Sequence, residues 1–120
     1  MMMQVIEMEK IVEQGLLYDF YGELLTEHQR HIYEDVVFND MSLSEIAEEQ
    51  GISRQGVHDL VKRCDRILGG YEEKLGLVDK FNRTKKMVEE IRTLAGAYKE
   101  TGDMSLIDRI EEISGEIGQL

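Results

Sequence analysis

The chain has 120 residues, enough for one compact domain or a small domain with an appendage. It contains no proline, a single cysteine and a formal net charge of −11, with 32% charged residues. This composition disfavours a turn-rich β fold, rules out an internal disulfide and contains no apolar run near the roughly 20 residues that span a bilayer.

Residues 4–24 read as an amphipathic helix with Val5, Met8, Val12, Leu16, Phe20 and Leu24 near helical spacing. The first ten residues lack the basic n-region and long apolar core of a secretion signal, so a cytoplasmic protein with no membrane partner is expected. Thr26 and Gln29 make a capping box that opens a helix from Glu27 to about Phe38, burying Ile32, Val36 and Val37. Asn39-Asp40 reads as a turn. A second capping box, Ser42 with Glu45, starts a short helix with Ile46 and the small Ala47 facing inward. Gly51 supplies the positive φ of a sharp helix exit, and Ser53 caps the next helix. That helix has a buried stripe of Ile52, Val57, Leu60 and Val61, and it is expected to run past Cys64 and Ile67 to a break at Gly69-Gly70. Two short helices joined by a tight turn form a helix-turn-helix, whose second helix can lie in a DNA groove.

Beyond the glycine pair, Leu77, Phe81, Thr84, Val88, Ile91, Ala95 and Tyr98 step by four and three, a heptad seam with one polar member. After Thr101-Gly102-Asp103, Leu106, Ile110, Ile113, Ile117 and Leu120 repeat the pattern, predicting an antiparallel helical hairpin. Two helices bury only one stripe each, so the N-terminal helices or a second copy must cover the remainder. The expected fold is all-α with about six helices: a helix-turn-helix bundle over residues 1–70 and a hairpin over residues 71–120 that can dimerise the chain.

Charge is unevenly distributed. Residues 1–50 carry 12 acidic and 2 basic side chains, whereas residues 51–70 carry 2 and 4. A phosphate-binding surface needs local positive potential whatever the total. The outer side of the second helix offers Ser53, Arg54, Gln55, His58, Lys62, Arg63 and Arg66 as the candidate nucleic-acid-binding set. Arg and Gln are the residue types that read guanine and adenine edges, and Lys62 and Arg63 are suited to phosphates. Gly56 lowers the intrinsic stability of this first turn, and Asp59 is expected to pair with Arg63 at i+4. Lys80, Arg83, Lys85 and Lys86 form a second basic group that also suits a solvated helix face. His28, His31 and Asp35 share one helix but make a poor metal site without a ligand from elsewhere, so no metal or cofactor is expected. Cys64 is expected to pack as a small apolar side chain. There is no phosphate-binding G-x-x-x-x-G-K-S/T and no nucleophile elbow, which points to a non-catalytic protein.

The run D-F-Y-G-E-L-L-T-E-H-Q-R from Asp19, with S-L-S-E-I-A-E-E and G-I-S-R-Q after it, resembles the YlxM-like family of small bacterial helix-turn-helix proteins, similar to regions 3 and 4 of sigma factors. The resemblance covers about residues 16–75. It implies a sigma-region-4-like scaffold with Ser53, Arg54 and Gln55 at the start of the recognition helix, followed by Val57 and Asp59. Gly56, His58 and Leu60 depart from the usual Ala, Tyr and polar residue. The family's genes commonly sit beside those of the signal recognition particle, which implies a regulatory role in that pathway. Two functions remain open: a nucleic-acid-binding regulator, or an adaptor that binds the particle's protein or RNA without specific DNA recognition.

Overall fold

A computed structural model describes residues 2–120, with side chains from Glu9 onward. Six α-helices follow one another: α1 (Met2–Tyr21), α2 (Glu27–Val37), α3 (Leu43–Gln50), α4 (Arg54–Leu75), α5 (Leu77–Thr101) and α6 (Met104–Gly118), with a 3-10 turn at Gly22–Leu24. They divide into two compact units, Met1–Gly76 and Leu77–Leu120.

Local signals set the helix starts. The Thr26 box is complete: the Gln29 N–H donates to Thr26 Oγ1 at 3.2 Å and the Thr26 N–H to Gln29 Oε1 at 3.0 Å. The Ser42 box is only half made. The Glu45 N–H donates to Ser42 Oγ, but the Glu45 carboxylate accepts from the Ser42 hydroxyl (3.1 Å) and not from its backbone N–H. Gly51 ends α3 at φ 68°, and Asp40 takes φ 52° in the preceding turn, a conformation that a short polar side chain tolerates.

The core of the first unit is Ile32, Ile46, Ala47 and Val57, with Val36, Met41, Leu43, Leu60 and Val61 packed against it. Val36 and Val37 are half-buried, whereas Tyr33 and Asp35 of the same helix are buried. Ile52 does not join the stripe expected for it. It sits in the turn before α4 and is 39% exposed, because burial there follows the α3–α4 crossing rather than helical spacing.

Tyrosines fasten α1 to the bundle. Tyr18 stacks on Tyr33 with centroids 5.7 Å apart, its hydroxyl donating to Glu34, and Tyr21 stacks on Tyr71 at 6.1 Å. The Tyr33 hydroxyl donates to Asp65 at 2.7 Å and the Tyr21 hydroxyl to Glu72 at 2.6 Å. The face of α1 that these contacts select differs from the expected one. Val12 (61%), Phe20 and Leu24 are exposed, Leu16 is half-buried, and Val5 and Met8 lie outside the described side chains.

Gly69-Gly70 does not break α4, which continues to Leu75 and stops at Gly76 with φ 62°. Each helical glycine costs about 1 kcal/mol relative to Ala. The residues just beyond the pair hold the helix in place, since Tyr71 and Glu72 both engage Tyr21. A Cβ at Gly69 or Gly70 would meet nothing within 4 Å. Gly69→Ala and Gly70→Ala should therefore each stabilise the chain by up to about 1 kcal/mol, read as a rise in Tm of several degrees in thermal melts. A fall in Tm would contradict the open space around these positions.

In the second unit α5 and α6 pack as a hairpin across Gly102-Asp103. Asp103 caps α6 through the Ser105 N–H at 3.0 Å. Arg109 of α6 reaches Glu90 of α5 at 3.3 Å as well as Glu112 at 3.1 Å within its own helix. The α6 seam is used throughout, with Ile113 buried and Leu106, Ile110, Ile117 and Leu120 half-buried. The α5 seam is half-buried at Thr84, Ile91, Ala95 and Tyr98 but exposed at Leu77, Phe81 and Val88.

Candidate nucleic-acid interface

Helices α3 and α4 form the helix-turn-helix, with Ile46 and Val57 both fully buried at their crossing. Burial of this inner face fixes the rotation of α4 and leaves its first turns outward. Ser53 acts as the N-cap, its hydroxyl accepting the Gly56 N–H at 2.9 Å. An alanine Cβ at position 56 would approach that hydroxyl at 3.1 Å. The propensity gain of Ala over Gly, about 1 kcal/mol, is thus opposed by crowding of a cap of similar worth.

Arg54, Gln55 and His58 are exposed and line one open depression of about 390 Å³ with Leu43 of α3. His58 and Leu43 also line a second groove of about 300 Å³, whose other walls include Lys62 and Val61 of α4, Lys10 and Ile11 of α1, and Val36 of α2. At about 100° per residue, Arg54, His58 and Lys62 fall within a sector of about 80°. Arg66 lies about 120° from Arg54, outside that sector, and Arg63 points about 180° away. The two depressions thus gather Arg54, Gln55, His58 and Lys62, and Arg63 and Arg66 line neither of them.

Asp59 behaves differently from the expectation of an Arg63 pair. Its Oδ1 accepts from Gln55 Nε2 at 2.9 Å and stands 3.7 Å from His58 Nδ1. The i, i+4 contact forms toward the N-terminus, where Gln55 and Asp59 share a face, rather than toward Arg63. Gln55 is thus held in place along the helix, while the Arg54 guanidinium has no ion-pair partner among the described residues.

Lys10, which the candidate set from the sequence did not include, lines the groove with Lys62. It is one of the two basic residues among the first 50, and only the packing of α1 on α4 brings it beside Lys62. The other, Arg30, is drawn into the interior network: the Tyr18 hydroxyl and the Glu34 carboxylate both favour its charged form. Asp65 lines the same groove, but its carboxylate is already bonded to the Tyr33 hydroxyl and to Gln14 Nε2 (3.1 Å). Burial, reinforced by Asp65, pushes the Tyr33 hydroxyl far above its ordinary pKa, so it remains a neutral donor. Cys64 lies fully buried on the inner side of α4, and burial pushes its thiol up to about 11, an inert packing group rather than a nucleophile.

His31 Nε2 lies 3.5 Å from Asp35 Oδ2, and Asp35 also accepts from Asn39 Nδ2 at 2.8 Å. Among the described residues no group of three or more His, Cys, Asp or Glu is placed to hold a metal ion, and no helix is long and apolar enough to cross a membrane.

The family described as "Putative helix-turn-helix protein, YlxM / p13 like" matches residues 8–110. The chain belongs to this helix-turn-helix family. A UPF0122 protein of Acetivibrio thermocellus is 44% identical over 114 residues, covering 92% of this chain and 97% of the relative. The UPF0122 protein YlxM of Bacillus subtilis is 39% identical over 109 residues, covering 90% and 99%. A UPF0122 protein of a Thermoanaerobacter species is 46% identical over 112 residues, covering 88% and 91%. The family is described as one of helix-turn-helix proteins, and membership suggests DNA binding.

Proposed function

We propose that the protein is a non-catalytic, cytoplasmic regulatory factor that binds duplex DNA through α4, with Arg54 reading a base edge in the major groove and Lys62 holding phosphate. The observation that carries this reading is the open depression formed by Arg54, Gln55 and His58 on the outer face of the helix-turn-helix. A single acidic module makes few phosphate contacts, so two copies act together, joined through exposed α5 seam positions such as Val88. The gene neighbourhood implied by the family resemblance supports assigning the regulated process to the signal recognition particle pathway.

The test is duplex binding followed by fluorescence anisotropy across a salt series. The logarithm of affinity should fall linearly with that of salt concentration, with a slope of about −0.9 per phosphate contacted. A flat response between low and moderate salt rejects the proposal.

A second reading is favoured by the 12 acidic side chains of residues 1–50 and by the hold of Asp59 on Gln55. Here the helix-turn-helix is a scaffold, and the acidic surface meets a basic partner such as the signal recognition particle's protein. A pull-down that recovers the particle's protein or RNA, together with no salt-dependent duplex binding, selects this reading.

A further inference from the structure

We infer that Lys10 of α1 is a DNA-backbone contact, and that the groove between α1 and α4 seats the sugar-phosphate strand flanking the bases at Arg54. This inference rests on the duplex-binding reading above. Because His58 lines both this groove and the depression at Arg54, the two form one continuous path from Arg54 past His58 and Lys62 to Lys10. The rim of the groove is cationic at Lys10 and Lys62, neither of which has an ion-pair partner among the described residues, and its floor is aliphatic at Ile11, Val36 and Val61. Such a channel fits a polyanionic strand with apolar sugar faces, whereas a cation or a basic peptide would meet two ammonium groups at the entrance.

Among the described side chains, the acidic residues nearby do not cancel this charge. Asp65 has its carboxylate tied inward by Tyr33 and Gln14. Glu9 and Glu13 lie on α1 about 100° and 60° from Lys10, on the side away from Ile11 and Gln14. In a half-chain with 12 acidic side chains, one of only two cations thus stands at the mouth of the recognition-helix groove. Phosphate contacts made outside the reading helix fix register and orientation on the duplex without conferring sequence preference.

The test uses the full chain and a mixed-sequence DNA duplex of about two helical turns. Lys10→Ala should weaken binding roughly five- to ten-fold near 0.1 M salt and reduce the magnitude of the salt slope by about 1. Lys10→Arg should keep both values, and Lys99→Ala, an exposed change at the end of α5, should keep them as well. Thermal melting of all three variants should match the parent chain, because Lys10 is exposed. An unchanged slope in Lys10→Ala alongside a reduced slope in Lys62→Ala overturns this inference and leaves the helix-turn-helix reading standing. Absence of salt-dependent duplex binding by the parent chain overturns both. A Lys10→Ala defect seen only with the corresponding RNA overturns the assignment to duplex DNA.

Discussion

Arg54→Ala should weaken binding to a preferred duplex site by about 1–3 kcal/mol, a loss of roughly 5- to 150-fold, with a clearly smaller loss on random duplex. Arg54 occupies the first turn of α4, where a helix of this kind presents its base-reading residues. Its guanidinium is exposed, and its fork of donors matches the two acceptors on a guanine edge. Gln55, bonded to Asp59, must first release that hydrogen bond to read a base, so Gln55→Ala should cost less. The experiment is selection of preferred sequences from a random pool, followed by titration of parent and variant on the selected and random duplexes. Equal losses on both would show that Arg54 contacts phosphate and does not read sequence.

Ile46→Ala should destabilise the first unit by about 2–5 kcal/mol, much of the 5–15 kcal/mol that ordinary domains possess. Ile46 has no solvent exposure and packs with Ile32, Ala47 and Val57 at the α3–α4 crossing. Its truncation removes transfer free energy and leaves a cavity that the helix backbones cannot close. Ile52→Ala should change stability by only about 0.5 kcal/mol, because its side chain is already 39% exposed. Urea denaturation of the two variants separates these outcomes. Comparable losses from both would place Ile52 in the core.

Nearly all the helix boundaries of the helix-turn-helix were legible in the residues themselves. Thr26 with Gln29, Ser42, Gly51 and Ser53 act on backbone groups within three or four positions, so their effect does not depend on what packs nearby. The inward pair Ile46 and Ala47 was legible too, because an eight-residue helix between two caps has only one apolar face. The all-α class follows from the same local signals, whereas the family rests on the motifs at residues 19–30, 42–49 and 51–55 and on the match over residues 8–110.

The faces of the long helices were not legible in this way. On α1 and the 3-10 turn after it, Val12, Phe20 and Leu24 follow helical spacing, yet the tyrosine contacts of Tyr18 and Tyr21 with α2 and α4 select another face. Periodicity shows that a helix is amphipathic, but its rotation is decided by the partner that buries it. The same applies to Gly69-Gly70: propensity alone predicts a stop there, and tertiary contacts at Tyr71 and Glu72 outweigh a cost of about 2 kcal/mol for the pair. Asp59 had two partners at equal sequence distance, and side-chain geometry chose Gln55 over Arg63.

The sequence by itself therefore determined where the helices of the reading motif begin and that Arg54 and Gln55 stand at the start of its second helix. Those features depend on short-range hydrogen bonds and backbone conformation. Only the tertiary structure decided that Lys10, 52 positions before Lys62, comes to line one groove with it. A contact at that separation depends on how α1 is rotated against α4. Side-chain packing among Gln14, Tyr33 and Asp65 sets that rotation, and no local pattern of residues encodes it.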